Sequence, residues 1–149
     1  MSILFLAKTT PWCDAARRFV LTHGHDVIVC DGERDAPVPA AFETWTGDYV
    51  VSFLSPWVVP ARVLGRARKA AINFHPGPPE YPGIGCYNFA IYDRAPEFGV
   101  TCHHMAPKVD TGALVAVARF PMLAGETVET LKDRTMVCLL SVFFDVMTP

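Results

Sequence analysis

Residues 2–7 (Ser-Ile-Leu-Phe-Leu-Ala) and 27–30 (Val-Ile-Val-Cys) are short apolar runs separated by a helical segment and a glycine, and this arrangement constrains the fold more than any other feature. Apolar runs this short, bounded by turn residues, read as buried strands. Residues 14–22 between them turn Ala15, Phe19 and Val20 to one side, as in an amphipathic helix, and Gly24 breaks it. Strand, helix and strand in this order close through a right-handed crossover, so the two strands are predicted to be parallel neighbours.

The same logic extends along the chain. The polar segment 31–47, with Pro37 and Pro39, has room for one short helix near 40–44, and 49–54 reads as a fully buried strand ending at Ser55-Pro56. A helix over 60–67 leads to a strand over 70–74, followed by a helix at 87–93, strands at 100–105 and 113–120, and a long helix at 127–147. In that last helix Val128, Leu131, Cys138, Leu139, Val142 and Val146 form the core stripe, widened by Phe143 and Phe144. The pattern predicts an α/β, Rossmann-like fold with a mostly parallel sheet. The strands near 100 and 113 are joined by a loop too short for a helical crossover, which predicts an antiparallel pair near the C-terminal side.

With 149 residues, 51% of them hydrophobic, the chain has enough apolar surface for one compact domain. A net charge of −2 supplies no basic stripe for a nucleic-acid partner. Arg17-Arg18 and the basic residues of 62–69 are expected on solvated helix faces. Five cysteines in odd number, with no C-x-x-C spacing and no signal-like or membrane-spanning apolar run, predict reduced thiols in a cytoplasmic protein. Cys30, Cys102 and Cys138 fall in apolar runs and are expected to pack as small hydrophobes; Cys13 lies just before a helix without an accompanying histidine motif, so no catalytic role is assigned to it.

The chemistry concentrates after residue 70. Asn73 and His75 are two apart at a strand end and therefore share a face, placing a carboxamide beside an imidazole where open α/β sheets build their clefts. Asp110, in Val109-Asp110-Thr111-Gly112, is placed to close on them and supply a carboxylate that orients the imidazole or takes its proton. Pro76, Pro78, Pro79 and Pro82 stiffen the intervening loop, which is expected to form a pocket wall. A Ser-His-Asp hydrolase is excluded because Ser52 and Ser55 lack the Gly-x-Ser-x-Gly elbow. A zinc site is not expected either, since adjacent His103 and His104 diverge on a strand.

Ile72-Asn73-Phe74-His75-Pro76-Gly77, Gly99-Val100-Thr101-Cys102-His103-His104 and Val109-Asp110-Thr111-Gly112, in this order and spacing, resemble the catalytic half of the 10-formyltetrahydrofolate-dependent formyltransferases. The resemblance is strong from about Val50 onward and weak before it. It implies a single formyltransferase-like domain over 1–149, with a compressed half at 1–57 and a catalytic half at 58–149. It further implies catalytic roles for Asn73, His75 and Asp110, and a supporting role for His103 behind the aspartate loop. Leu54, Ser55, Ala106 and Val109 are then expected to hold 10-formyltetrahydrofolate as co-substrate, without a metal. Lys8, Thr10, Glu80, Tyr81 and Tyr87 are the expected contacts for the formyl acceptor.

Departures from the family narrow the acceptor. The first strand runs into Lys8-Thr9-Thr10-Pro11-Trp12 in place of the glycine-rich loop that cradles phosphate in glycinamide ribonucleotide formyltransferase. The region between Cys30 and Tyr49 is compressed, and one helix follows the core where methionyl-tRNA formyltransferase carries a further barrel for tRNA. Gly77-Pro78-Pro79-Glu80-Tyr81 is closer to the nucleotide-sugar N-formyltransferases and to the related domain of hydrogenase maturation factors. The expected activity is formyl transfer to a nucleotide-linked amino sugar. Hydrolysis of 10-formyltetrahydrofolate and a non-catalytic folate- or nucleotide-binding module are the alternatives. The expected partners are small molecules, with no nucleic acid and no membrane, and self-association as a homodimer is left open.

Overall fold

In the computed structural model, which describes residues 1–108 and 110–148, five consecutive residues of the first strand are buried. Their alternation explains the architecture. Ile3, Phe5 and Ala7 of β1 (Ser2–Ala7) face a core shared with Cys13, Ala16 and Val20 of α1 (Pro11–His23) and with Phe143 of α5 (Val128–Met147). Leu4 and Leu6 face the opposite way, onto Phe42 of α2 (Ala41–Thr44), Val63 of α3 (Ala61–Leu64), Trp45 and Val59. A strand covered on both faces reads as a continuous apolar run, and helices on both sides make the sheet the middle of three layers.

The other strands are β2 (Asp26–Asp31), β3 (Gly47–Phe53), β4 (Ala67–His75), β5 (Glu97–His104) and β6 (Leu114–Pro121); α4 (Cys86–Tyr92) lies between β4 and β5. They form one sheet in the order β2-β1-β3-β4-β5-β6. β2, β1, β3 and β4 are parallel neighbours, while β4–β5 and β5–β6 are antiparallel. The chain leaves β1 in one direction to make β2 and returns across it to make β3. That reversal opens a crevice beyond the strand ends. Leu54, directly after β3, has φ +58, a left-handed conformation that costs a bulky residue free energy and that turns the chain at this crevice.

Several expected boundaries move for local reasons. α1 starts at Pro11 because Thr10 caps it, its hydroxyl accepting from the Cys13 N–H at 3.2 Å, and proline suits the first turn. Its buried face is accordingly Cys13, Ala16 and Val20, with Ala15 and Phe19 only half-buried. The helix expected over 60–67 is the single turn α3. β4 already begins at Ala67, paired with Gly47, so Arg68 and Lys69 lie on a strand, and Arg68 pairs with Asp48 at 2.9 Å. On α5 the fully buried residues are Leu131, Thr135, Met136, Leu139, Val142 and Phe143, with Val128, Cys138, Phe144 and Val146 half-buried. Thr135 is tolerated there because its hydroxyl donates to the Leu131 carbonyl at 2.7 Å. Among the described residues no helix is long and apolar enough to cross a membrane.

Candidate active site

Register across three strands assembles the site. Asn73 on β4 is flanked by Ser52 on β3 and by His103 on β5, and His75 is flanked by Thr101. Partners in register point to the same face, so a strand bearing Asn-x-His and an antiparallel neighbour bearing Thr-x-His deliver four polar side chains to one surface. His104, one residue on, is exposed, whereas His103 is only 4% accessible and His75 only 7%.

Asp110 enters from the β5–β6 connection with φ +54, a conformation that aspartate tolerates better than most residues. Its Oδ1 lies 3.0 Å from His103 Nε2 and 3.4 Å from the Asn73 amide nitrogen. Its Oδ2 accepts the Gly83 N–H at 2.9 Å and lies 3.6 Å from His75 Nδ1. Gly112 makes the approach possible, because a Cβ there would stand 1.7 Å from the His104 carbonyl oxygen. The proline loop contributes from the other side. The Tyr81 carbonyl is 2.9 Å from His75 Nε2, and Thr101 donates to the Gly77 carbonyl at 2.8 Å.

Hydrogen-bond partners bear directly on protonation here. His103 Nδ1 is 2.8 Å from the His104 carbonyl, and Nε2 lies 3.0 Å from the Asp110 carboxylate and 3.2 Å from the Asn73 amide nitrogen. The carbonyl and the carboxylate favour the imidazolium form, in which both ring nitrogens donate. Burial opposes that charge, but the Asp110 hydrogen bond and the His104 carbonyl outweigh it and raise the pKa. Asp110 responds in the opposite sense. The His103 hydrogen bond, helped by the His75 ring and the Gly83 N–H, overcomes burial and lowers its pKa to about 2. For His75, Nε2 donates to the Tyr81 carbonyl, so Nδ1, on the Asp110 side, is the nitrogen able to exchange a proton.

Two cavities meet at this cluster. The first, about 290 Å³, is lined by Leu54, Ser55, Trp57, Val58, Met105 and Ala106 together with Asn73, His75, His103 and Asp110. The second, about 630 Å³, holds Lys8, Thr10, Trp12 and Tyr87. Leu54, His75, Pro76, Gly83 and Ile84 border both, and Ile84 is 93% exposed at their shared lip.

Leu54, Ser55 and Ala106, expected at the co-substrate, therefore line one cavity; Val109 lies outside the described residues. Lys8, Thr10 and Tyr87, expected at the acceptor, line the other, where burial raises the Tyr87 pKa. Glu80 and Tyr81 line neither: Glu80 pairs with Arg119 at 2.6 Å, and the Tyr81 hydroxyl donates to Asp93 at 3.1 Å. Trp57, Ile84, Met105 and the α5 residues of the second cavity were missed in the sequence. Only Ile84 carried a signal, sitting between two glycines with φ +74 and +85. Among the described residues no group of three or more His, Cys, Asp and Glu side chains is arranged to hold a metal ion.

An α/β sheet with its polar cluster at the turn from parallel to antiparallel strands defines a recognisable class. The chain belongs to the formyl transferase family, whose model, described as Formyl transferase, matches residues 23–146. It is similar to methionyl-tRNA formyltransferase from Lachnospira eligens, 29% identical over 115 residues that span 76% of this chain and 36% of that protein. The chain thus covers little more than a third of that relative's length. Its fold matches the N-formyltransferase from Helicobacter canadensis in complex with folinic acid and dTDP-3-aminofucose, with a TM-score of 0.80, 18% identity, and coverage of 97% of this chain and 62% of that one. It also matches glycinamide ribonucleotide transformylase 1 from Symbiobacterium toebii, with a TM-score of 0.78, 20% identity, and coverage of 99% and 86%. Two of these proteins are named for different acceptors and the third is described with an amino-sugar nucleotide bound, so the likeness establishes the family and the fold and leaves the acceptor to the site itself.

Proposed function

We propose that this chain transfers a formyl group from 10-formyltetrahydrofolate to the amine of a nucleotide-linked amino sugar. The observation that carries the reading is the meeting of two cavities at His75, with Asn73 and Asp110 beside it in the first. A donor in one cavity and an acceptor in the other would bring carbonyl and amine together there. The first cavity suits the ring end of a folate, with apolar walls from Leu54, Trp57, Val58 and Met105. The structural relative bound to folinic acid supports the same assignment.

In the reaction the amine nitrogen attacks the formyl carbon, negative charge develops on the formyl oxygen, the carbon–N10 bond breaks and a proton passes from the amine to N10. The Asn73 amide donates to the developing oxyanion, an interaction worth roughly 3 kcal/mol in comparable sites. With its Nε2–H held by the Tyr81 carbonyl, His75 gives or takes the proton at Nδ1. Asp110, at about 2 and clamped by His103 and Gly83, is a weak base. Its role is to hold the orientation of the His75 ring and to offset positive charge that develops there in the transition state. Hydrolysis could use the same groups but needs no acceptor site, so the second cavity favours transfer.

The acceptor follows from the turn between β1 and α1. Thr10 takes up the Cys13 N–H, Pro11 has none, and no glycine opens the turn, so a buried phosphate cradle is missing. A diphosphate held by side chains at a solvent-facing rim fits better. The test is incubation with 10-formyltetrahydrofolate alone, then with an amino-sugar nucleotide and with glycinamide ribonucleotide. We expect the amino-sugar nucleotide to be formylated at least about tenfold faster, or about 1.4 kcal/mol in the transition state. Equal or faster formylation of the ribonucleotide would overturn this choice, and formate release independent of every amine would establish the hydrolase.

A further inference from the structure

The second cavity has a wall that the catalytic cluster leaves unused. Glu129, Lys132, Asp133 and Met136 of α5 line it, at spacings that place all four on one helix face. Lys8 borders it from the β1–α1 turn, Trp12 from the first turn of α1 and Tyr87 from α4. Elsewhere five of the nine arginines are paired: Arg17 with Asp14 and Asp31, Arg62 with Glu43, Arg68 with Asp48, Arg119 with Glu80 and Glu97, and Arg134 with Glu126. Among the described residues Lys8, Glu129, Lys132 and Asp133 form no ion pair, although they share one cavity. Glu129 also suits the helix N-terminus on general grounds, but Asp133, a turn further along, gains little from that position.

Resting on the transfer reading, we infer that the first two turns of α5 are the specificity wall for the acceptor. Glu129 and Asp133 accept hydrogen bonds from ring hydroxyls, while Lys132 and Lys8 hold phosphate oxygens. The chemistry of the set selects this ligand class. Two carboxylates repel a ligand that is anionic throughout, and two ammonium groups give a neutral one nothing to neutralise. A hydroxylated sugar bearing phosphate at one end answers both, because hydroxyls donate to carboxylates and phosphate accepts from lysines. Trp12 and Tyr87 add the apolar faces against which a sugar ring packs. A nucleotide-linked amino sugar and a ribosyl amine phosphate share this chemistry, and the experiment includes both.

Protein saturated with 5-formyltetrahydrofolate, which occupies the donor cavity, is titrated calorimetrically with dTDP-3-aminofucose and with glycinamide ribonucleotide. Wild type, Glu129→Gln, Asp133→Asn and Lys132→Ala are compared, all at exposed positions. We expect the amino-sugar nucleotide to bind wild type more tightly and its Kd to rise at least fivefold in each variant, with the folate Kd unchanged. In turnover with the same acceptor, KM rises and kcat holds. Tighter binding of glycinamide ribonucleotide with the same variant losses keeps the wall and overturns the amino-sugar acceptor. An unchanged Kd in all three variants, or no binding of either probe to wild type, overturns the wall. Failure of wild type to bind 5-formyltetrahydrofolate would instead remove the underlying transferase reading.

Discussion

At the scale of single residues, the site is a chain of charge in which each group's state depends on its neighbour. The His104 carbonyl and Asp110 push His103 toward its imidazolium form, Asp110 answers as a carboxylate, and the His75 Nδ1 looks onto that carboxylate from 3.6 Å. His75→Ala or Asp110→Ala should lower kcat by about two to three orders of magnitude with little change in folate Kd, since these groups act on charge that develops in the transition state. Asn73→Asp should be at least as harmful, because it puts a negative charge where the oxyanion forms; steady-state kinetics of the three variants checks this. The buried pair also has a pH signature. Asp110, depressed from 3.8, contributes stability that is complete above about pH 4 and lost as pH falls through about 2. His103, raised from 6.5, contributes stability that is complete below about pH 6.5 and lost as pH rises through its higher folded value. The melting-temperature difference between wild type and Asp110→Asn should therefore be widest between about pH 4 and 6.5 and narrow on both sides. A difference independent of pH would mean that His103 and Asp110 are not an ion pair. Asn73 and His75 were legible because period two at a strand end needs no tertiary knowledge. The raised pKa of His103 was not, since it depends on the Asp110 carboxylate and the backbone carbonyl that His103 meets.

At the scale of elements, expected bounds held where turn residues mark them and moved where they do not: α4 and α5 lie within one residue of expectation, whereas β4 and β5 each begin three residues earlier. β1 was expected at its observed bounds and β6 within one residue, because each is a run bounded by turn residues. The start of α1 was missed because its first residue is a proline and its cap a threonine outside the apolar pattern. α3 was overextended because a basic run at 62–69 resembles a solvated helix face until β3 recruits residues 67–69 as a strand. The α5 wall was hidden for the complementary reason: a polar strip opposite a core stripe looks the same whether it faces water or a cavity. The β5–β6 connection offers the sharpest test at this scale. Gly112 sits where a Cβ would collide with the His104 carbonyl, so Gly112→Ala must shift the loop that carries Asp110. A displacement of about 1 Å at a reacting group can cost on the order of a hundredfold in rate. We expect kcat to fall by that order while the fold is kept, seen as an unchanged far-ultraviolet spectrum beside the lost turnover. Full activity in Gly112→Ala would show that Asp110 does not need its observed position.

At the scale of the whole molecule, the strand order places an open crevice where β1 and β3 part, and the contents of that crevice decide which cofactor it takes. A dinucleotide site there requires glycines between β1 and α1, so that backbone N–H groups can approach a pyrophosphate. Here Thr10 takes up the Cys13 N–H, Pro11 lacks one, and Trp12 follows in the first turn of α1. The slot for a ring system lies one strand over, between the end of β3 and the residues after β5, walled by Leu54, Trp57 and Met105 and closed by the proline loop latched to Asp110 through Gly83. A flat, partly apolar ring fits such a slot, and a charged diphosphate does not. A ligand confined to the native state adds about 2.7 kcal/mol at one hundred times its Kd. For a chain of this size that is a rise of roughly 5 to 11 °C in Tm, at about 2–4 °C per kcal/mol. We therefore expect 5-formyltetrahydrofolate to raise Tm by this amount and NAD at the same multiple of a typical Kd to leave it unmoved. The reverse result would place the ligand at the β1–α1 turn and remove the folate cavity from the mechanism.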